Sequence, residues 1–131
     1  MAVLIFPLER VVEINALIQA TEPGFVGHND LGKLEGALSR IDNAIYYDGL
    51  DDTFEIAAKY AQSIAVAHAF SDANKRTGFT TCLEYLSLNG FEIIIDNDLL
   101  ADAMVDLVLG ILTIGDFADI LYSSYIASSE N

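Results

Sequence analysis

A run of ten residues in the middle of the chain contains the side chains best suited to chemistry, and it reads His68-Ala69-Phe70-Ser71-Asp72-Ala73-Asn74-Lys75-Arg76-Thr77. The imidazole of His68 could take a proton from an attacking hydroxyl. The carboxylate of Asp72 could hold magnesium, which in proteins typically bridges one carboxylate and the phosphates of a substrate. An amide and two cations then begin a predicted helix, whose first backbone N–H groups form an anion site. A base, a metal ligand and an anion cradle are the parts that phosphoryl transfer requires.

Each of these residues, taken alone, has a more ordinary explanation. A single helical histidine is more often a partly buried packing residue than a base, and an aspartate before a helix is more often a cap. An adjacent lysine and arginine usually form a solvated face, and Phe70 is expected in the core under either interpretation. The chemical interpretation therefore depends on the combined spacing. A helical domain that matched this spacing by chance would have no pocket between the helices that flank Asp72.

The combined spacing resembles the signature of the Fic/Doc family, in the variant found in death-on-curing (Doc) toxins. Two flanking segments resemble the same family, one after the motif and one in an early helix: Leu83-x-Tyr85-Leu86-x-Leu88-Asn89-Gly90 and Asp30-Leu31-Gly32-x-Leu34-Glu35-x-Ala37-Leu38. The resemblance extends over roughly residues 8 to 125. It implies a Fic-type all-α bundle and the toxin of a toxin–antitoxin pair.

The resemblance also implies a role for each motif residue. His68 corresponds to the general base towards a hydroxyl of the target protein. Asp72 corresponds to the acid that positions Mg2+ on the phosphates of ATP. The remaining positions correspond to phosphate-binding residues, in which an amide lines the anion hole and two cations contact phosphate oxygens: Asn74, Lys75, Arg76 and Thr77. The predicted catalytic set is therefore His68, Asp72, Lys75 and Arg76.

The motif resembles the kinase variant of the family more than the AMP-transferring variant. Members that transfer AMP have glycine at the positions of Ala73 and Lys75, and a second arginine at the position of Phe79. A lysine side chain fills part of the phosphate pocket, and in Doc-type proteins this accompanies ATP bound in the opposite sense. The resemblance therefore implies phosphate transfer to a Ser/Thr hydroxyl, with elongation factor Tu as the family's target and inhibition of translation as the result. AMP transfer and a non-catalytic, antitoxin-binding module are the alternatives.

Regulation is predicted to come from a second protein. Self-inhibited members carry a Ser/Thr-x-x-x-Glu-Gly/Asn helix, whose glutamate blocks the site. Here Glu35 has Leu31 four residues earlier and Glu130 has Ile126, so neither fits that pattern. The expected inhibitor is an antitoxin that lays a helix into a groove.

The charge of the chain limits its partners. Twenty acidic residues against six basic ones give a net charge of −14 at pH 7. Such a surface repels nucleic acid at long range, which argues against direct nucleic-acid binding. It also repels a free nucleotide, unless a divalent cation and local basic residues offset the field. The only adjacent pair of basic residues is Lys75-Arg76, inside the motif.

Length and composition indicate one domain that comprises residues 1–131. No apolar run approaches the roughly 20 residues that span a bilayer, so we expect a soluble, cytoplasmic protein with no membrane partner. The single cysteine, Cys82, excludes an internal disulfide. Its apolar helical surroundings predict a small buried side chain rather than a reactive thiol.

Apolar periodicity and helix-end signals predict a bundle of about six helices, in which the active-site loop joins two central helices. The first helix is predicted to turn Val11, Val12, Ile14, Leu17 and Ile18 inwards. A loop is predicted at Ile41–Leu50, an extended segment at Phe91–Ile95 and frayed residues at Ser128–Asn131. The first predicted helix begins after Pro7 and ends near Ala20. The other five are predicted to begin at Asn29-Asp30, Thr53, Asn74, Asp98 and Gly115. They are predicted to end near Ile41, Ala69, Leu88, Leu109 and Ala127, respectively.

Overall fold

A computed structural model describes residues 4–21, 29–94 and 98–129. Within these ranges the chain forms α-helices and no strand, which confirms the predicted all-α fold. The helices are α1 (Leu8–Thr21), α2 (Leu31–Tyr47), α3 (Thr53–Ala67), α4 (Asn74–Leu88), α5 (Asp98–Val108) and α6 (Ile114–Ser129).

Helix α3 is the centre of the bundle, since it packs against α2, α4, α5 and α6. Its side chains are mostly small or apolar, and they are buried on nearly every face of the helix. A helix that is apolar all round is stable only when neighbours surround it. The buried residues of α3 are Phe54, Ile56, Ala57, Ala58, Tyr60, Ala61, Ser63, Ile64 and Ala65.

Two buried tyrosines attach the N-terminal segment to the central helices. The backbone N–H of Phe6 donates to the Tyr60 hydroxyl at 2.9 Å, and the Tyr85 hydroxyl donates to the Leu4 carbonyl at 2.9 Å. The two tyrosine rings lie 5.0 Å apart, centroid to centroid, between α3 and α4. These contacts satisfy polar groups that would otherwise be buried without partners.

Local capping explains where two helices begin. The Asp30 carboxylate accepts from the backbone N–H of Lys33 at 3.1 Å, and the Asp52 carboxylate accepts from that of Glu55 at 2.9 Å. Each bond satisfies one free N–H of a first turn, and such caps contribute about 0.5–2 kcal/mol. The predicted starts of α2 and α3 are therefore confirmed.

The predicted loop at Ile41–Leu50 is wrong, because α2 continues to Tyr47. Ile41 and Ala44 are buried and extend the apolar face of the helix by two turns. The connection is instead a short turn at Gly49, whose positive φ of 71° suits glycine. Burial of the helix face outweighs the turn-forming residues that precede this glycine.

Smaller corrections concern the other element ends. Helix α3 ends two residues early because His68 adopts a left-handed conformation. Residues 91–94 form no strand, and Ile95 lies outside the described residues, as do 22–28, which follow α1. Helix α6 continues to Ser129, since the buried Ser128 hydroxyl donates to the Ser124 carbonyl and accepts from the Ile94 N–H. The last residues, 130–131, also lie outside the described ranges.

The inner face of α1 differs from the prediction at one position. Leu17 is 57% exposed, whereas the other four predicted positions, Val11, Val12, Ile14 and Ile18, are buried or partly buried as expected. The polar residue Asn15 takes the inner position instead and is only 3% exposed.

None of the described helices is long and apolar enough to cross a membrane.

Candidate active site

The motif forms the connection between α3 and α4, and this connection is conformationally constrained at both ends. His68 has φ 51° and ψ 41°, and Ala73 has φ 63° and ψ 26°, both in the left-handed region. A residue with a Cβ disfavours that region by roughly 1–2 kcal/mol. The surrounding contacts therefore have to hold the loop in place.

Asn74 closes the loop from within. Its carboxamide accepts from the Phe70 N–H at 3.2 Å and donates to the Phe70 carbonyl at 2.9 Å. The Phe70 ring is buried, as predicted, and it anchors this end of the loop in the core. One residue earlier, the Ala69 carbonyl accepts from the N–H of Asp30 at 2.6 Å, which joins the loop to the start of α2.

The loop ends in the first turn of α4, where backbone N–H groups lack partners within the helix. The first helical bond is the one from the Thr77 N–H to the Ala73 carbonyl, at 2.9 Å. The Asp72 carboxylate lies beside this turn and accepts from the Ala73 N–H at 2.7 Å. A negatively charged group is favourable at this helix end, because the helix dipole is positive there.

A cleft of about 540 Å³ opens between this loop and three helices. Its volume lies in the range of small-molecule sites, about 300–1,000 Å³. Opposite the motif, the walls come from α1, α3 and α5. The lining residues are His68, Ser71, Asp72, Ala73, Asn74, Lys75 and Arg76 from the motif, with Ile18, Gln19, Ala65 and Val108 from the walls.

The structure thus brings five of the six predicted site residues to one cleft: His68, Asp72, Asn74, Lys75 and Arg76. A match by chance would have no such pocket, so that alternative is contradicted. For Asn74 the side chain is engaged by the Phe70 backbone, so what it can present to an anion is chiefly its backbone N–H.

Thr77 is the predicted site residue that the structure does not bring to the cleft. Its side chain is fully buried under the loop. The hydroxyl donates to the Ala73 carbonyl at 2.8 Å and accepts from the Asn15 side-chain amide at 3.0 Å. Thr77 therefore supports the loop from within, because both contacts of its hydroxyl are made inside the protein.

The charges around the cleft differ from those of the whole chain. Among the described residues, Asp72 is the only acidic residue that lines it, together with the cations Lys75 and Arg76. The positive end of the α4 dipole adds to this local balance. An anionic ligand is therefore compatible with the cleft despite the chain's net charge of −14.

Outside the cleft, Arg10 on α1 is paired with Glu84 on α4 through two bonds of 2.6 and 2.7 Å. The hydrogen bond from Arg10 lowers the pKa of Glu84. Arg10 also pairs with Glu13 on its own helix. This cation is therefore occupied in joining α1 to α4 and lies outside the cleft.

Asp72 could hold a magnesium ion that it shares with an anionic ligand. The described part of the chain contains no group of three or more His, Cys, Asp or Glu side chains placed to hold a metal. A site with one carboxylate, Asp72, would take its other ligands from phosphates and water. Magnesium commonly binds in that way, because it keeps several waters and dehydrates reluctantly.

Sequence reasoning did not identify Asn15 and Gln19 on α1. Gln19 lines the cleft, and its amide donates to the Asn15 side-chain oxygen at 2.7 Å. The signal was present as a polar residue on the apolar stripe, four residues after Val11 and three before Ile18. A polar side chain at a core position is more informative than an exposed apolar one.

Comparison with known proteins agrees with this geometry. A profile of the Fic/DOC family matches residues 5–86, which include the whole motif. The protein kinase doc of Escherichia phage P1 is 34% identical over 102 residues, which are 78% of this chain and 80% of that protein. Toxin Doc of Mycolicibacterium smegmatis is 34% identical over 70 residues, which are 53% of this chain and 54% of that protein.

Proposed function

Since this chain belongs to the Fic/DOC family, we propose that it is the toxin of a toxin–antitoxin pair and a protein kinase. It transfers the γ-phosphate of ATP to a Ser/Thr hydroxyl of a target protein and thereby blocks translation. The observation that supports this best is the convergence of a base, a carboxylate and two cations on one cleft: His68, Asp72, Lys75 and Arg76. One relative is named a protein kinase and another a toxin.

Phosphate binding is the role of the first turn of α4. Its backbone N–H groups and the side chains of Lys75 and Arg76 offer several donors to one phosphate chain. Asp72 would hold magnesium, which when bound supplies positive charge to the phosphate oxygens. The loop contacts of Asn74 keep this turn in position before the nucleotide arrives.

His68 is the general base in this proposal. It lies at the C-terminal end of α3 and lines the same cleft as the anion site. As the target hydroxyl attacks the γ-phosphorus, its proton passes to the imidazole and a new O–P bond forms. The bond between the γ-phosphorus and the bridging oxygen breaks, and ADP leaves. Positioned bases of this kind contribute about 10²- to 10⁴-fold to the rate.

Lys75 and Phe79 favour phosphate transfer over AMP transfer. The Lys75 side chain occupies space in the cleft that a glycine would leave open. Phe79 packs against the core, so this position supplies no second cation to a triphosphate. AMP transfer remains the alternative within the same chemistry, and elongation factor Tu is the proposed target.

The proposed inhibitor is an antitoxin with an amphipathic helix. Val105 and Val108 lie on one side of α5 by helical spacing, Leu109 follows directly after its end, and Val108 lines the cleft. Val105 and Leu109 are exposed, as is Leu17 on the facing helix α1. An apolar helix face laid over these residues would bury them beside the cleft that Val108 lines.

The test is a labelling experiment with the purified protein, magnesium and a bacterial extract. Parallel reactions contain ATP labelled at the γ- or the α-phosphate. We expect label to enter a protein from the γ-position only, and His68→Ala to lower this by at least about 100-fold. Lys75→Ala should also lower it, whereas Lys33→Ala, which removes the same charge from α2, should not.

Three outcomes would contradict the proposal in different ways. Label from the α-phosphate would establish AMP transfer, and Lys75→Gly would then be expected to increase it. Absence of transfer, together with absence of nucleotide binding, would favour the non-catalytic, antitoxin-binding module. Transfer by His68→Ala at the rate of the unmodified protein would exclude His68 as the base.

A further inference from the structure

The buried amide of Asn15 is the feature of α1 that the proposed chemistry has not used. Its side chain is 3% exposed, although an amide in a core position is costly unless its donors and acceptor are bonded. Here they are. Its nitrogen donates to the Asp72 carbonyl at 3.1 Å and to the Thr77 hydroxyl at 3.0 Å, and its oxygen accepts from Gln19 at 2.7 Å.

The orientation of this amide follows from its partners. A backbone carbonyl can only accept, and the Thr77 hydroxyl already donates to the Ala73 carbonyl. The atom of Asn15 that faces both must therefore be the nitrogen. Gln19 donates from the other side, which holds the Asn15 oxygen away from the loop.

The contacts of Asn15 with the motif are at the point where the loop becomes α4. One reaches the carbonyl of Asp72 directly, and the other reaches the carbonyl of Ala73 through the Thr77 hydroxyl. Ala73 itself is in the unfavourable left-handed conformation, with φ 63°. These two carbonyls belong to the peptide groups on either side of the Ala73 Cα, so fixing them keeps the backbone in that conformation.

From this network we infer that Asn15 is a positioning residue of the active site. It acts through the loop backbone, since its described contacts are with the loop, with Thr77 and with Gln19. By holding the loop it aims the Asp72 carboxylate and the first N–H groups of α4 into the cleft. The inference rests on the proposed function for its catalytic consequence, but its structural part stands on the hydrogen bonds alone.

Loss of the Asn15 amide is expected to weaken the response to magnesium more than it lowers the stability of the fold. Asn15 bonds the backbone carbonyl of Asp72 and so supports the residue that carries the magnesium ligand, and losing support around a metal ligand typically costs about 10- to 100-fold in metal affinity or activity. We therefore expect Asn15→Leu, which keeps a similar volume without the amide, to lower the initial rate of phosphate transfer about 10- to 100-fold. The magnesium concentration for half-maximal rate should rise about tenfold.

Matched variants separate positioning from stability. Ser128→Ala removes a buried hydroxyl that accepts from the Ile94 N–H, and neither residue lines the cleft. It should lower the melting temperature without changing the magnesium dependence.

Asn15→Asp keeps the shape and the acceptor for Gln19 but loses the donor, so it should reproduce the defect if Asn15→Leu does not fold. Thr77→Val should share the defect, and the double variant Asn15→Leu/Thr77→Val should be no worse than the single ones, because both break one network.

Amide hydrogen exchange of the nucleotide-free protein is the readout that does not need activity. In Asn15→Leu the amides of residues 72–77 should exchange faster, with the Thr77 amide as the main reporter. In Ser128→Ala they should not. If the unmodified protein transfers no phosphate, the proposed function fails while this exchange experiment still tests the positioning. Unchanged exchange in the loop of a folded Asn15 variant, or an unchanged magnesium dependence in an active one, would overturn the inference.

Discussion

Gly78 on α4 lies directly against the backbone carbonyl of Ala61 on α3. A Cβ added at Gly78 would be 2.5 Å from the Ala61 oxygen and 3.2 Å from the Ala65 nitrogen. Because the obstacle is backbone, no side chain can move aside to make room. This contact sets how closely the two helices that carry the motif approach each other.

Gly78→Ala should therefore force α4 away from α3. Overpacking of this kind costs about 1–3 kcal/mol, and it would displace His68 relative to the anion site. We expect a lower free energy of unfolding in urea and a loss of phosphate transfer. Gly36→Ala is the matched control, since an added Cβ there meets nothing within 4 Å and should stabilise α2 by about 0.5–1 kcal/mol. Equal stability of the two variants would contradict the packing argument.

The left-handed conformation of His68 predicts that function and stability are opposed at this position. His68→Ala and His68→Gly both remove the imidazole, but only alanine keeps a Cβ at φ 51°. The glycine variant should be more stable than the alanine variant by about 1 kcal/mol, while both lose transfer. Chemical denaturation of the two variants measures the difference. An alanine variant as stable as the glycine variant would show that the loop relaxes when the imidazole is removed.

The pair of Arg10 and Glu84 predicts a contribution to stability that is present at neutral pH and lost in acid. The hydrogen bond from Arg10 lowers the pKa of Glu84 in the folded chain below its unfolded value. Its stabilising effect is therefore complete above the unfolded pKa, about 4.3, and is lost as the pH falls through the folded value. Glu84→Gln should lower the melting temperature at pH 7 and leave it nearly unchanged at pH 2–3.

The control for this pair is Glu13→Gln, which removes the exposed partner of Arg10 on the same helix. Because an exposed pair within one helix contributes little, its effect at pH 7 should be smaller. A Glu84→Gln variant that loses the same stability at every pH would show that packing, and not charge, is responsible.

Cys82 should be inert in the folded protein. Its thiol is fully buried in α4, and burial raises its pKa well above the usual range. Since the thiolate is the reactive form, a water-soluble thiol reagent should label the native protein very slowly and the denatured protein at once. The labelling rate in increasing urea would then report opening of the α3–α4 core. Rapid stoichiometric labelling without denaturant would contradict the burial of this side chain.

Local chemistry explains what could be predicted without coordinates. The bounds of α4, Asn74–Leu88, agree with the prediction because both ends depend on adjacent residues. Gly90 has φ 89° and follows the helix as a left-handed terminator should. The starts of α2 and α3 follow likewise from the caps at Asp30 and Asp52. The motif is also local, since its base, carboxylate and cations lie within ten consecutive residues.

The errors of prediction arose where contacts between distant residues decide the outcome. Helix α2 passes through residues that favour a turn because Ile41 and Ala44 are buried against other helices. Thr77 belongs to the motif, but its hydroxyl is bonded to Asn15, which lies 62 positions earlier. Neighbouring residues cannot encode such a contact, because it depends on which helices meet.

The sequence alone thus determined the helices, those helix ends that caps or a terminal glycine set, and the chemical identity of the motif, since these depend on spacing and capping within a few residues. The tertiary structure decided that the motif faces a cleft, that α1 and α5 supply its opposite walls, and that Asn15 supports its loop. These features require residues more than 50 positions apart to pack together. That packing is set by the burial of complementary helix faces, such as the contact of Gly78 with Ala61, which no local pattern specifies.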